Sequence, residues 1–238
     1  LKEGNFHSHQ WEDLPATLQR AGWQLNWLHH MLLLPGVRSV REALSNAAGF
    51  NAQSHAQGCH SFVEAQLGGR LLVGALLEWL ILGRRVSRIR TSLSFTPKGS
   101  QLDLWPMLEE DWETSLRGAI GLGNCIWRRM FDRALSSMPP QAACIYLWEN
   151  QGWEAALLHA WRRHQQTPVI GFPHATTAFW HLNNFDDPVL FAAGSEAISK
   201  PIPDRLAVSG PAAWSMFCES GYPPTRMMPV EAVRFQHL

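Results

Sequence analysis

Two short segments carry side chains suited to acid–base and sugar chemistry. One is the run Trp148, Glu149, Asn150, Gln151, Gly152, Trp153; the other ends on Pro173 and His174, with Trp180 beyond it. A carboxylate can manage a proton or face positive charge at an anomeric carbon, and an imidazole can bond hydroxyls or phosphate. An indole face stacks on the apolar side of a sugar ring. Both segments follow short apolar runs, residues 144–148 and 169–172, which read as strands buried on both faces. Between them Trp153, Ala156, Leu157, Ala160 and Trp161 recur at helical spacing, which predicts a helix to about Arg163 with Asn150 as its N-cap. In a parallel sheet the ends of such strands emerge on one edge, where ligands bind. Glu149 and His174 are therefore expected to share a crevice as the catalytic pair, with Asn150, Trp153 and Trp180 as substrate-binding residues. A capping or ion-pair role for Glu149 and a turn role for His174 stay open.

The elements that must position this unit follow from the rest of the chain. Asp13, a helix over 15–20 and a stop at Gly22 lead into a strand at 23–28, which delivers His29 and His30 to the crevice edge; His29 is taken as a further substrate-binding residue. The histidine pairs lack a carboxylate or cysteine partner at ligand spacing, and His55, Cys59 and His60 lack a fourth ligand, so no metal is expected. Residues 34–60 read as a connection, a helix over 39–47 and a polar loop. The apolar run 71–82, followed by Arg84, Arg85, Arg88 and Arg90, is too short to span a bilayer. It fits a buried core helix, the preferred reading, or a helix docked on a membrane surface with its arginines on lipid phosphates. Residues 103–138 form a second helical region with a break near 121–124. A strand at 206–209, a helix at 212–220 and a strand from Met227 complete the expected fold: an α/β, Rossmann-like, mainly parallel sheet with helices on both faces.

Lys plus Arg equals Asp plus Glu at 20 each, so no global field points to nucleic acid. The four cysteines form no close pair and read as buried thiols of a reducing compartment. Twelve tryptophans are many for 238 residues; most are assigned to the core, with Trp153 and Trp180 reserved for the cleft. A G-x-S-x-G elbow, a phosphate-binding G-x-x-x-x-G-K loop, H-E-x-x-H and the kinase set are absent, and the G-x-G at Gly121 and Gly123 is no dinucleotide fingerprint. No cofactor is expected.

Taken together, W-E-N-Q-G-W-E (148–154), G-F-P-H-A-T (171–176) followed by F-W-H-L, P-D-R-L-A-V-S-G (203–210), V-E-A-V-R-F (230–235) and the opening F-H-S-H-Q-W-E-D-L-P resemble a known family. It is that of the bacterial surface carbohydrate biosynthesis proteins, glycosyltransferase-type proteins of O-antigen and capsule clusters, distantly similar to GT-B enzymes that transfer Kdo or sialic-acid-like sugars from CMP. The resemblance implies two Rossmann-like domains with the active site between them. Residues 1–229 would be the N-terminal, acceptor-side domain with a helical insertion over about 34–140. Residues 230–238 would begin the interdomain linker, and the nucleotide-binding domain would lie beyond Leu238. It implies a nucleotide-sugar donor such as a CMP-activated ulosonic acid, a glycan acceptor, and a cytoplasmic site peripheral to the inner membrane. Glu231 and Arg234, near the linker, are candidates for orienting the donor, or simply pair with each other. A non-catalytic glycan-binding or assembly module and a sugar-nucleotide epimerase are the alternative functions.

Overall fold

The computed structural model of the chain describes residues 6–31, 39–53, 58–173, 191 and 201–231. The apolar runs at 144–148 and 169–172 become β3 (Cys144–Leu147) and β4 (Val169–Phe172), joined by α6 (Gly152–His164). They pair in parallel, with Cys144 opposite Val169 and Leu147 opposite Phe172. The sheet continues through β5 (Arg205–Ser209) and β6 (Met227–Val230) in the order β3-β4-β5-β6, all parallel, with α7 (Pro211–Glu219) crossing between the last two. Strand alternation sorts the side chains. Tyr146, Val169, Leu206 and Val208 enter the main core with α6, α7 and α5 (Ala119–Ser136). Phe172 and Ala207 face the other side, where Trp11 and Leu14, at the start of α1 (Leu14–Arg20), pack against them. The result is a mixed α/β fold with parallel sheets flanked by helices.

The strand expected at 23–28 is shorter and ends one residue later, as β1 (Asn26–His29), and it does not hydrogen-bond into the larger sheet. It pairs in parallel with β2 (Cys59–Phe62), which lies where a loop was expected. Cys-His-Ser-Phe has no apolar run to announce a strand; side chains from elsewhere hold it. Asn51, in α2 (Val40–Gln53), donates to the His60 carbonyl at 2.8 Å and accepts from the His60 amide at 2.9 Å, so one side chain substitutes for a strand neighbour. The Asn26 side chain accepts from the Cys59 amide. Asn26 also donates to Gln141, just before β3, at 3.0 Å, while His30, at the other end of β1, approaches Trp153 just after β3. These contacts tie the two ends of β1 to residues that flank β3, while the two strands themselves belong to separate sheets.

Gly58, which starts β2, is a position only glycine can fill. Its φ is +86°, and a Cβ there would stand 1.6 Å from the Leu25 carbonyl oxygen. Gly58→Ala is expected to pry β2 from β1 and destabilise the protein by at least about 2 kcal/mol. A thermal melt within a degree of wild type would refute this close approach.

Residues 34–140 are not purely helical, since they supply β2, and α5 packs along α6 as part of the main core. The second helical region divides into α4 (Trp105–Leu116) and α5, with the break at Arg117 and Gly118 and not at 121–124. Gly121 and Gly123 lie inside α5. The apolar run at 71–82 is the middle of α3 (Gly69–Arg90), and here the core-helix reading is overturned. Only Leu71, Ala75 and Val86 are buried, whereas the aliphatic side chains from Leu72 to Ile81 on the outer side are between 42 and 59 % exposed. α3 is held by one edge, where Glu78 accepts from Arg128 and Arg129 of α5. No helix among the described residues is long and apolar enough to cross a membrane.

All four cysteines are free, but the expectation of uniformly buried thiols fails: Cys125 is buried, Cys144 and Cys218 half-buried, and Cys59 exposed. Of the tryptophans described, Trp148 and Trp161 are fully buried and Trp11, Trp127, Trp153 and Trp214 pack half-buried against the core clusters, so the assignment of most tryptophans to the core holds in part. Most of the others are half-buried, lying along helix surfaces.

Candidate site at the strand ends

Alternation along β1 decides which of two adjacent histidines reaches the crevice. Trp27 and His29 share one side of the strand, Leu28 and His30 the other. Leu28 packs against the main core, which puts His30 on that side, against the edge of Trp127 at 4.3 Å between ring centroids and 6.5 Å from Trp153. His29, predicted as a crevice residue, instead stacks on His60 with centroids 5.1 Å apart, its Nε2 2.9 Å from Nδ1 of His60. Trp27 lies parallel to both rings. Burial holds both imidazoles far below their ordinary range, each at about 4, so both are neutral near pH 7. His29 belongs to an aromatic stack over the β1–β2 pair, on the side of β1 away from His30.

His30 is built differently. Its side chain is 37 % exposed, and its Nδ1 lies 2.7 Å from Oε1 of Glu64, which is 10 % exposed. Glu64 sits in the single turn of 3-10 helix that follows β2 and also accepts from the Met31 amide at 3.0 Å, while its Oε2 is buried without a partner. Burial alone would push the Glu64 carboxyl up; the bonds from His30 and the Met31 amide outweigh it and hold the group below its usual range. An ionised Glu64 accepts the proton on Nδ1 of His30 and leaves Nε2 as the acceptor, the division of labour found where a carboxylate orients a histidine base.

The carboxylate and aromatic residues expected after β3 are present, with roles redistributed. Glu149 is exposed at the strand end. Asn150 is not the N-cap: it takes a left-handed φ of 61°, which asparagine tolerates, and Gln151 caps α6. Glu154, three residues into the helix, turns back under the loop and accepts from the amides of Glu149 and Gln151, both at 2.8 Å. Buried at 3 % exposure, it is pushed up to about 7 by desolvation, opposed by these amides, with the nearby Glu149 charge adding to the rise. A cavity of about 20 Å³ lies beside it, bounded by Tyr146, Trp148 and Ile202. Trp153, at the start of α6, stacks on Phe131 and meets Tyr146 edge-on, with His30 near its ring. It links the ends of β1 and β3.

Glu231 is exposed just after β6, at the opposite edge of the sheet from β3. Three strand spacings put it about 14 Å from the Glu149 end, so it is not part of the same cluster. His174, Trp180 and Arg234 lie outside the described residues. Among the described residues no group of three or more His, Cys, Asp or Glu side chains is arranged to hold a metal ion.

Sequence reasoning passed over Glu64, Trp127 and Glu154. Glu154 had a legible signal, a glutamate three residues after a polar cap. Glu64 had none, because the strand that leads into its helical turn was read as loop.

The fold and the strand-end cluster define a parallel α/β protein with an imidazole, carboxylates and indole rings near the ends of its strands. No protein-family model matches the chain, and the comparisons with curated proteins and with solved structures give no match.

Proposed function

We propose that the protein is a glycosyltransferase that moves a sugar from a nucleotide-activated donor, a CMP-linked ulosonic acid being the first candidate, to a glycan acceptor in bacterial surface polysaccharide synthesis. The observation that carries this reading is the half-exposed His30 backed by buried Glu64 and flanked by Trp127 and Trp153. Sugar transfer needs a base for the acceptor hydroxyl and an apolar wall for the ring. In this reading the acceptor rests against the indoles. His30 takes the hydroxyl proton on Nε2 as that oxygen bonds to the anomeric carbon and the donor phosphate leaves with the bonding pair. Glu149, exposed at the end of β3, faces the positive charge that develops on the sugar. The motif resemblance supplies the donor class and the GT-B architecture, in which a second domain would bring the nucleotide.

The test is release of nucleotide from a panel of nucleotide sugars, CMP-linked ones included, by the full-length protein with and without glycan acceptors. Acceptor-dependent release is expected, and Glu149→Gln should lower it by roughly 100-fold while leaving thermal stability nearly unchanged. Glycan binding with no turnover of any donor would instead establish a binding module.

A further inference from the structure

α3 turns its least covered side outward. Leu72, Val73, Leu76, Leu77, Leu80 and Ile81 form a continuous aliphatic strip opposite the three buried positions Leu71, Ala75 and Val86. Exposed apolar patches of this continuity on a folded protein mark contact with something else. The charges decide what. The one carboxylate of α3, Glu78, points to α5 and is held there by Arg128 and Arg129. Arg90 is also turned inward, with its guanidinium 3.4 Å over the Trp105 ring. The exposed charges left on the helix are Arg70 at one end of the strip and Arg84, Arg85 and Arg88 at the other, and none of them makes an ion pair among the described residues. Apart from the Ser87 hydroxyl, the outward side therefore carries aliphatic groups and cations, with no carboxylate of α3 among them. Where the strip meets α4, a groove of about 570 Å³ opens between the helices, lined by Trp79, Leu80, Arg84, Ser87 and Arg117, with Glu113 engaged by Arg117.

We infer that α3 is an interfacial helix that docks the protein on an anionic lipid surface. Its aliphatic strip enters the boundary between headgroups and acyl chains, and Arg84, Arg85 and Arg88 meet lipid phosphates. A segment with this division lies in the membrane plane and does not cross it. The inference rests on the α3 surface alone and is independent of the glycosyl-transfer reading. A second copy of the chain, offering the acidic residues Glu109, Glu110 and Asp111 of α4, is the competing occupant.

Co-sedimentation of the full-length protein with phosphatidylcholine vesicles, with and without phosphatidylglycerol, separates these. Binding is expected to the mixed vesicles only and should weaken as salt is raised. The triple variant R84Q/R85Q/R88Q should lose affinity on the order of 100-fold, roughly fivefold for each arginine. V73S/L77S should weaken binding with an unchanged far-UV circular dichroism spectrum. Failure to bind mixed vesicles, or binding that the triple variant leaves intact, overturns the inference. So does a concentration-dependent dimer that V73S/L77S dissolves in the absence of any vesicle binding, which would assign the strip to contact between copies.

Discussion

His30→Ala is expected to lower glycosyl transfer by about 10²- to 10⁴-fold, the usual worth of a positioned general base. The loss should fall on kcat with KM little changed, because the imidazole acts on the hydroxyl proton and the indoles of Trp127 and Trp153 supply the ring contact. Glu64→Gln should reproduce much of the effect without touching substrate. An amide in place of the carboxylate can turn its NH₂ toward Nδ1, which favours the tautomer with the proton on Nε2, and the base is then blocked. His29→Ala provides the control. It removes a neutral ring from a stack on the far side of the same strand, so it should cost stability and leave the rate per folded molecule near wild type. If His30→Ala transfers sugar normally, or His29→Ala fails in the same way, the base is elsewhere.

The second large effect concerns Glu154 and reads out in stability. Glu154→Ala would strand the amides of Glu149 and Gln151 beneath the loop, at a cost of about 3 kcal/mol. The ionisable side chain also makes stability depend on pH. Burial raises its folded-state pKa to about 7, from an ordinary glutamate value of 4.5. A raised carboxyl pKa contributes stability that is fully present below the unfolded value and lost as pH climbs through the folded one. Stability should therefore fall by about 3 kcal/mol between roughly pH 4.5 and pH 7.5 on account of this group. Glu154→Gln is neutral at every pH and can still accept a bond from the loop, so its unfolding free energy should lack that component. Denaturant melts across this range would show it, and parallel profiles for the two proteins would remove the coupling.

The central unit was legible because what makes it is local. The apolar runs of β3 and β4 and the helical spacing of Ala156, Leu157, Ala160 and Trp161 lie within one short stretch, and the structure forms both strands and the helix there, with Gln151 in place of Asn150 as the cap. The same holds for β5 and α7, where Gly210 and Pro211 set the helix start. The edge where a site should form followed from parallel topology. Four matters were beyond the sequence because each is decided by groups far apart in the chain. β2 exists through side chains of Asn51 and Asn26, not through its own composition. Its formation brings Glu64 to His30, a pairing across 34 residues that no local pattern announces. The choice of His30 over His29 depends on which side of β1 meets the core, and α3 reads as a core helix until packing leaves one side bare. Sequence by itself determined the periodicities and breaks that define the elements. Only the tertiary structure decided which face each element buries, because burial is a property of what the rest of the chain brings against it.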